Sequence, residues 1–306
     1  MGTFVRMTQK LTAQGIALLV LPPMLWAGNA IVGRMVSTMV SPMTLNLLRW
    51  VLAFVLLLPL AGRVLLPKSP LWPQWRRFAV LSLFSIGGYN ALLYLALNTS
   101  TPINVTLVGA SNPVWILIFG QLFFSQRITP RQLLGAALSI AGVLLVMCRG
   151  QWSVLLELHL VVGDLYILLA SMAWAYYSWM LTHPGRDGVV LQAKWAMFLL
   201  GQVTFGLVWS AAFSAAEWTF TAAHVDWSWP LVGALVFIAT GPAVIAYRAW
   251  GAGVALAGPT VAGFFINLTP LFTALLSAAF LGETPQLFHA LAFALIVSGI
   301  VLSSRR

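Results

Sequence analysis

The sequence predicts an all-α integral membrane protein with ten transmembrane helices, arranged as two inverted five-helix repeats with both termini cytoplasmic. Three observations lead to this prediction. Of the 306 residues, 60% are hydrophobic and only 7% are charged, whereas soluble domains carry about 25% charged residues. The chain also divides into apolar segments of the length that a bilayer requires, and related motifs recur in its two halves.

The segments follow from the thickness of the membrane. A hydrocarbon core of about 30 Å needs about 20 apolar residues per helix. We predict helices at 15–36, 42–61, 77–98, 103–124, 132–149, 163–182, 190–213, 229–250, 258–281 and 287–303. The basic N-terminus precedes a long apolar segment without a good cleavage site, so we expect a retained first helix and not a signal peptide.

The basic residues define the orientation. With a cytoplasmic N-terminus, the opposite face has only Arg34 and Arg149, each at a helix end. The cytoplasmic segments contain Arg6, Lys10, Arg63, Lys68, Arg76, Arg77, Arg127, Arg131, Arg186, Arg305 and Arg306. This bias follows the positive-inside rule. It also explains the net charge of +10 without a nucleic-acid partner.

The halves 1–150 and 151–306 are related by an internal repeat. The stretch "GIALLVLPPMLWAGN" from Gly15 aligns with "GDLYILLASMAWAYY" from Gly163. The other matches pair Gly88–Tyr94 with Gly241–Tyr247, Pro113 with Pro270, Gly142 with Gly299 and Arg49 with Lys194. Each half has five helices, an odd number, so the second half enters the membrane from the opposite face.

Glycine and proline interrupt corresponding predicted helices. Pro113 and Pro270 occupy the fourth and ninth helices, while Gly88 and Pro242 occupy the third and eighth. Paired Gly/Pro interruptions in inverted repeats indicate the binding site of a transporter. We therefore assign gating or kink roles to these four residues. Intramembrane Pro and Gly also occur for packing alone, which is the alternative for each residue taken singly.

A set of amides and aromatic rings forms the candidate substrate site. Polar groups inside a membrane usually face the bundle interior. The candidates are Trp26, Asn29, Tyr89, Asn90, Tyr94, Asn112, Trp115, Trp174, Tyr177, Tyr247 and Asn267. Asparagine both donates and accepts hydrogen bonds, and aromatic faces attract cations and stack on apolar groups. This combination suits a small zwitterion with an apolar tail.

The charged residues argue against strong ion coupling. No Asp or Glu lies at the middle of a predicted helix, whereas proton-driven pumps use intramembrane Asp, Glu or His relays. We therefore expect facilitated diffusion or weakly coupled export, with no metal and no cofactor. We expect Arg49 to bond to a helix-end carbonyl or amide and not to substrate. Arg248 is an alternative site of attraction for a substrate carboxylate.

Four motifs carry a resemblance to a known family: "LWAGNAIVGR", "LLRWVLAFVLLLP", "NLTPLFTALLSAAFLGE" and "ALAFALIVSGIVLSS". With them the chain resembles the EamA-like group of the drug/metabolite transporter superfamily, and among its members most the aromatic amino-acid exporters. The first-half copy departs from the pattern, because "FSQ" ending in Gln126 replaces "LGE". The resemblance implies a pseudo-symmetric basket whose central cavity is lined by the first, third, fourth, sixth, eighth and ninth helices.

These observations predict a multi-pass transporter of a bacterial inner membrane. It exports aromatic or other large apolar amino acids, or similar small metabolites, by alternating access. The alternatives are a permease for a sugar, a nucleotide sugar or a drug, and, outside the transporters, an intramembrane enzyme or a receptor. Enzyme motifs such as H-E-x-x-H and G-x-S-x-G are absent from the sequence. The expected partners are a small-molecule substrate and the lipid bilayer, without nucleic acid, and we expect a monomer.

Overall fold

A computed structural model describes residues 11–100, 102–151, 153–154, 159–184, 189–281 and 286–304. Within these ranges the regular secondary structure is helical, and the β pairing consists of one isolated antiparallel bridge between Val40 and Val225. Glu283 of the "LGE" motif lies outside the described residues, as do Arg6, Lys10, Arg186, Arg305 and Arg306 from the charge analysis. The prediction of an all-α protein is confirmed for the described part.

The helices overlap the predicted segments, with two differences in extent. They are α1 Ala13–Met35, α2 Pro42–Ala61, α3 Trp75–Ser82, α4 Gly88–Thr99, α5 Pro102–Gly109, α6 Asn112–Phe124, α7 Pro130–Met147, α8 Val162–Met180, α9 Val189–Gln192, α10 Trp195–Phe220, α11 Trp229–Ile238, α12 Ala246–Ile266, α13 Thr269–Leu281 and α14 Leu287–Ser304. Residues 251–257, predicted to connect the eighth and ninth helices, lie inside α12, and the predicted 190–213 corresponds mainly to α10. Short π-helical segments at Leu83–Gly87 and Ala239–Ile245 join α3 to α4 and α11 to α12. Two 3₁₀ turns, Gly62–Leu65 and Trp72–Gln74, lie between α2 and α3.

Eight helical stretches of the described chain are long and apolar enough to cross a membrane. They are Ala13–Met35, Pro42–Leu65, Trp72–Thr99, Asn104–Phe124, Pro130–Met147, Trp195–Phe220, Trp229–Ile266 and Leu287–Ser304. The 19-residue α8 and the 13-residue α13 are outside this group. The longest stretch is broken at Gly258, whose φ of 80° is a left-handed conformation that glycine tolerates without strain.

Two predicted helices are interrupted and not merely kinked. A two-residue turn at 110–111 separates α5 from α6, and another at 267–268 separates the end of α12 from α13. Pro113 and Pro270 follow these turns as the second residues of α6 and α13. At a helix start the missing N–H of proline is not needed. The structure therefore accommodates both prolines by beginning a new helix.

The interruption in the first half frees a carbonyl that the second half satisfies. The backbone N–H of Val114 bonds to the Ser111 oxygen and not to Ala110. The Ala110 oxygen instead accepts a hydrogen bond from Asn267 Nδ2 at 3.3 Å. The same Nδ2 donates to Ser139 Oγ at 2.9 Å. Backbone groups at membrane depth need such partners because no water is available.

Small residues bring α7 and α14 into close contact. A Cβ on Gly142 would lie 2.9 Å from the Ala292 oxygen, and one on Gly299 would lie 2.6 Å from the Gly135 oxygen. Such close backbone approach is typical of membrane helix pairs. Elsewhere α1 packs on α12 and α2 on α10, while α8 packs against α4, α6 and α12. Helix α8 therefore occupies a central position.

Polar contacts hold α8 at both ends. Asp164 in its first turn accepts hydrogen bonds from Ser100 Oγ at 2.5 Å and Asn104 Nδ2 at 3.0 Å. Near its other end, Arg77 donates to the carbonyl oxygens of Met180 at 2.9 Å and His183 at 2.7 Å. The acid at the N-terminus and the base beyond the C-terminus both match the helix dipole. These contacts fix the helix that carries the central aromatic residues.

Candidate functional site

An aromatic cluster lies at the centre of the helix packing. We define it as Trp26, Trp50, Tyr89, Trp174, Tyr177, Tyr247 and Trp250, which come from α1, α2, α4, α8 and α12. Trp174 is its central ring. Its ring centroid lies 5.2 Å from Trp26, 4.9 Å from Tyr89, 5.1 Å from Tyr177, 5.5 Å from Tyr247 and 5.5 Å from Trp250. Trp50 joins the cluster through Tyr247, at 5.1 Å.

Helical spacing assembles the cluster. Trp174 and Tyr177 are three residues apart on α8, and Tyr247 and Trp250 are three apart on α12. Residues at this spacing share one face of a helix, and α8 packs on α12. Trp174 is 2% exposed and Trp250 is 0% exposed. In this conformation the rings are therefore packed against one another.

Three indoles of the cluster have an unused hydrogen-bond donor. The Nε1 atoms of Trp50, Trp174 and Trp250 are buried and have no partner. In contrast, Trp26 Nε1 donates to the Pro242 oxygen at 3.3 Å. Buried polar atoms are normally hydrogen-bonded, and each exception needs an explanation. Three unused N–H donors in one cluster are groups that a bound polar solute could satisfy.

A polar network adjoins the aromatic cluster on one side. Arg49 Nη1 donates to Asn90 Oδ1 at 3.3 Å and to Tyr94 Oη at 3.1 Å. Asn90 Nδ2 in turn donates to the Ser85 oxygen at 2.9 Å and to Tyr247 Oη at 3.4 Å. The Arg49 bond to an amide agrees with the sequence-based expectation. Tyr247 therefore connects the polar network to the rings.

The first π-helical segment supplies carbonyl groups to this network. The Ser85 oxygen accepts hydrogen bonds from both Asn90 Nδ2 and the Tyr247 hydroxyl. The Ile86 oxygen accepts from Asn90 Nδ2 at 3.2 Å and Asn46 Nδ2 at 3.4 Å. Single-turn π segments often occur at functional sites. Here the segment provides two backbone acceptors that hold Asn90, Tyr247 and Asn46 in place beside the cluster.

The four predicted gating residues all lie at irregularities of the helices. Gly88 is the first residue of α4, where an added Cβ would lie 2.7 Å from the Leu83 oxygen. Pro242 lies within the second π-helical segment. Pro113 and Pro270 stand just after the two-residue turns. Their roles in gating stay predictions.

Four predicted site residues lie outside the cluster and its polar network. Trp115 Nε1 donates to Ser111 Oγ at 3.1 Å, and its ring packs with Phe119. Asn267 bonds to α7 and to the Ala110 carbonyl, which is a structural role. Asn29 and Asn112 are buried, 8% and 3% exposed, and the Oδ1 of each has no partner. The other seven lie in the cluster or its network: Trp26, Tyr89, Asn90, Tyr94, Trp174, Tyr177 and Tyr247.

The structure adds residues that the sequence analysis did not assign to the site. Trp50 and Trp250 are completely buried in the cluster. The available signal for Trp250 was its position three residues after Tyr247, which places both on one helix face. No comparable spacing singled out Trp50.

Comparisons with known proteins agree with this architecture. The family model of the EamA-like transporter family matches residues 13–148 and again 161–305. The chain is 27% identical to the uncharacterized transporter YyaM of Bacillus subtilis over 78% of this chain and 75% of that protein. An uncharacterized transporter of Archaeoglobus fulgidus is 25% identical over 94% and 96% of the two chains.

Two further similarities are more distant. The aromatic amino acid exporter YddG of Ancylobacter novellus is 23% identical over 76% of this chain and 76% of that protein. One crystal structure of another protein is similar with a TM-score of 0.72 and 20% identity, over 94% of this chain and 95% of the other. At that identity the structural similarity supports the fold alone.

Proposed function

Because the chain belongs to the EamA-like transporter family, we propose that it exports aromatic or other large apolar amino acids, or similar small metabolites. The aromatic cluster carries this proposal. Its rings, packed in T-shaped and tilted contacts, suit an apolar side chain, and its unused indole donors suit a polar head group. The similarity to an aromatic amino acid exporter points to the same solute class.

The proposed topology has ten transmembrane helices in two inverted repeats, 1–150 and 151–306, with both termini cytoplasmic in a bacterial inner membrane. Support comes from the family model, which matches each half separately. The contacts of α7 and α14 are also reciprocal. Gly142 meets Ala292 and Ile296, while its counterpart Gly299 meets Gly135 and Ser139. The corresponding residues of the two helices are Gly135 and Ala292, Ser139 and Ile296, and Gly142 and Gly299. Each pair is 157 residues apart in sequence, as are Pro113 and Pro270.

Alternating access is the proposed mechanism, with rocking of the two halves around the central cluster. The interrupted helices α5–α6 and α12–α13 provide places where the halves bend. The Asn267 contact with Ala110 joins corresponding positions of the halves and supports a pivot there. The transporter carries a small-molecule solute as a monomer and is not an enzyme. Its transport is facilitative, because the site contains no carboxylate relay among the described residues.

Efflux from proteoliposomes tests the proposal. Vesicles containing the purified protein are preloaded with labelled tryptophan, phenylalanine, leucine, glycine or glutamate, with and without a pH gradient. We expect release of the three large apolar amino acids, independent of the gradient and above that of protein-free vesicles. Trp229→Phe is the matched control, because Trp229 is 87% exposed. Release of none of these amino acids would overturn the proposed substrate class, and release that requires the gradient would overturn facilitation.

A further inference from the structure

Arg49 is a buried cation that has no counter-charge among the described residues. It is 2% exposed and is the eighth residue of α2, so it lies about 10 Å along the helix from its first residue. A charged side chain inside a membrane is costly and usually pairs with an opposite charge or lines a functional pathway. The partner of this cation is therefore informative about function.

The described carboxylates do not neutralise Arg49. Asp164 bonds to Ser100 and Asn104 at the start of α8. Glu217 accepts hydrogen bonds from the backbone N–H groups of Met43 and Thr44, at the start of α2. Asp226 is exposed. Across the described part of the chain, the recorded polar partners of Arg49 are thus neutral: Asn90 and Tyr94.

The guanidinium group also has unused hydrogen-bonding capacity. Both of its hydrogen bonds come from Nη1, while Nε is buried without a partner. The group lies 5.1 Å from the ring centre of Trp50. Guanidinium presents five N–H donors in a planar fork that matches a carboxylate. The two neutral hydrogen bonds therefore hold the group in place without using its capacity for an anion.

The position of Arg49 beside the aromatic cluster suggests what the anion is. Asn90 joins the guanidinium group to the Tyr247 hydroxyl, and the Trp50 ring lies against Tyr247. A solute whose apolar group occupies the cluster would place a terminal charge near this polar network. The ammonium group of such a solute finds no described acid there, only ring faces and neutral oxygens.

From the sequence we expect Arg49 to bond to a carbonyl or amide and not to substrate, but its unused donors lead us to revise the second part of that expectation. We propose that Arg49 is the counter-charge for a carboxylate of the transported solute, so that the carboxylate and not the amino group is required for recognition. The inference rests on the proposed transport function and narrows its substrate class to carboxylates that carry an aromatic or other large apolar group. An analogue of the amino acid that lacks the amino group should still bind. An analogue whose carboxylate is converted to an amide should lose the charge-assisted hydrogen bonds to Arg49.

Ligand-induced thermal stabilisation of the purified, detergent-solubilised protein tests this requirement without the complication of passive leak. The ligands are phenylalanine, 3-phenylpropionate, which lacks the amino group, and phenylalaninamide, which lacks the carboxylate. For the wild type we expect half-maximal stabilisation by either carboxylate at a concentration about tenfold or more below that for the amide, from the strength of hydrogen bonds to charged groups. The Arg49→Gln variant should remove this preference, and Arg49→Lys should retain part of it. The control is Arg34→Gln, which replaces an exposed arginine in the last turn of α1.

Each outcome has a distinct meaning. Equal binding of the amide and the carboxylates to the wild type would overturn the role of Arg49, and this comparison stands even when Arg49→Gln fails to fold. Stabilisation by sodium chloride alone, with equal binding of the three ligands in chloride-free buffer, would assign the site to an inorganic anion and overturn the inference. The proposed function fails separately, when none of the ligands binds and reconstituted vesicles release no amino acid.

Discussion

Two tryptophans on α8 provide a matched test of the aromatic cluster. Trp174 Nε1 is buried without a hydrogen-bond partner, whereas Trp179 Nε1 donates to the Ile116 oxygen at 2.7 Å. Both side chains are almost fully buried, at 2% and 5% exposed. The substitutions Trp174→Phe and Trp179→Phe delete the same atoms from the same helix. They therefore differ mainly in the hydrogen bond that is lost.

The structure predicts opposite patterns of stability and transport for the two variants. Trp179→Phe removes the hydrogen bond to the Ile116 oxygen, a carbonyl inside α6 that keeps its helical partner. This loss costs about 0.5–1.5 kcal/mol in addition to the loss of ring volume shared by both variants. Trp174→Phe loses no hydrogen bond within the protein and keeps a ring among five aromatic neighbours. The free energy of unfolding should therefore fall by about 0.5–1.5 kcal/mol more for Trp179→Phe.

Transport should show the reverse order. A solute hydrogen bond to the Trp174 indole would contribute about 0.5–1.5 kcal/mol, or about 2- to 13-fold in apparent affinity. The assays are denaturant-induced unfolding in micelles and concentration-dependent efflux of phenylalanine from proteoliposomes. Equal apparent affinities for wild type and Trp174→Phe, together with reduced affinity in Trp179→Phe, would refute the assignment of the site to the cluster.

Three further predictions concern the framework around the site. Asn267→Leu removes two interhelical hydrogen bonds and should lower the free energy of unfolding by about 1–3 kcal/mol, measured by chemical denaturation. In Gly142→Ala the new Cβ would lie 2.7 Å from an Ile296 side-chain carbon, and this overpacking should lower the free energy of unfolding by about 1–3 kcal/mol. The control is Gly33→Ala, because a Cβ on Gly33 would have no atom within 4 Å. Equal stability of the two variants would contradict the close α7–α14 contact. Burial raises the pKa of the Cys148 thiol, and because the thiolate is the reactive form, its maleimide labelling should increase at a higher pH than that of an exposed Leu160→Cys cysteine in a protein lacking Cys148.

The general architecture could be predicted because lipid imposes a simple requirement. A backbone that crosses a membrane must satisfy its own hydrogen bonds, so apolar segments of sufficient length form helices. The boundaries of α2, Pro42–Ala61, coincide with the predicted 42–61. The charge at Arg49 was also expected to bond to an amide, and it does so through Asn90.

The interruptions of the helices were less accessible to sequence reasoning. Pro113 and Pro270 indicated where the helices are irregular, but proline fits both a kink in a continuous helix and the first turn of a new one. The choice depends on whether the freed Ala110 carbonyl finds another donor. That donor is Asn267, 157 residues away in sequence, and such a contact is defined only by tertiary packing.

The sequence predicted some residues of the candidate site but not its tryptophans on α2 and α12, whose burial also depends on tertiary packing. Amides and tyrosines stand out in an apolar helix, which is why Asn90, Tyr94 and Tyr247 could be singled out. Trp50 and Trp250 suit a lipid-facing position equally well by composition, since tryptophans also anchor helices at the membrane interface. Their complete burial results from the packing of α2 on α10 and of α12 on α1, α6 and α8.

Photolabelling tests most directly the central claim that the solute binds in the aromatic cluster. The purified protein is irradiated with radiolabelled 4-azidophenylalanine, with or without excess phenylalanine, and the labelled peptides are identified by mass spectrometry. The account predicts labelling on α8 and α12, at or beside Trp174, Tyr247 or Trp250, that excess phenylalanine suppresses. Labelling confined to other helices, or labelling of these residues that excess phenylalanine does not reduce, would contradict it.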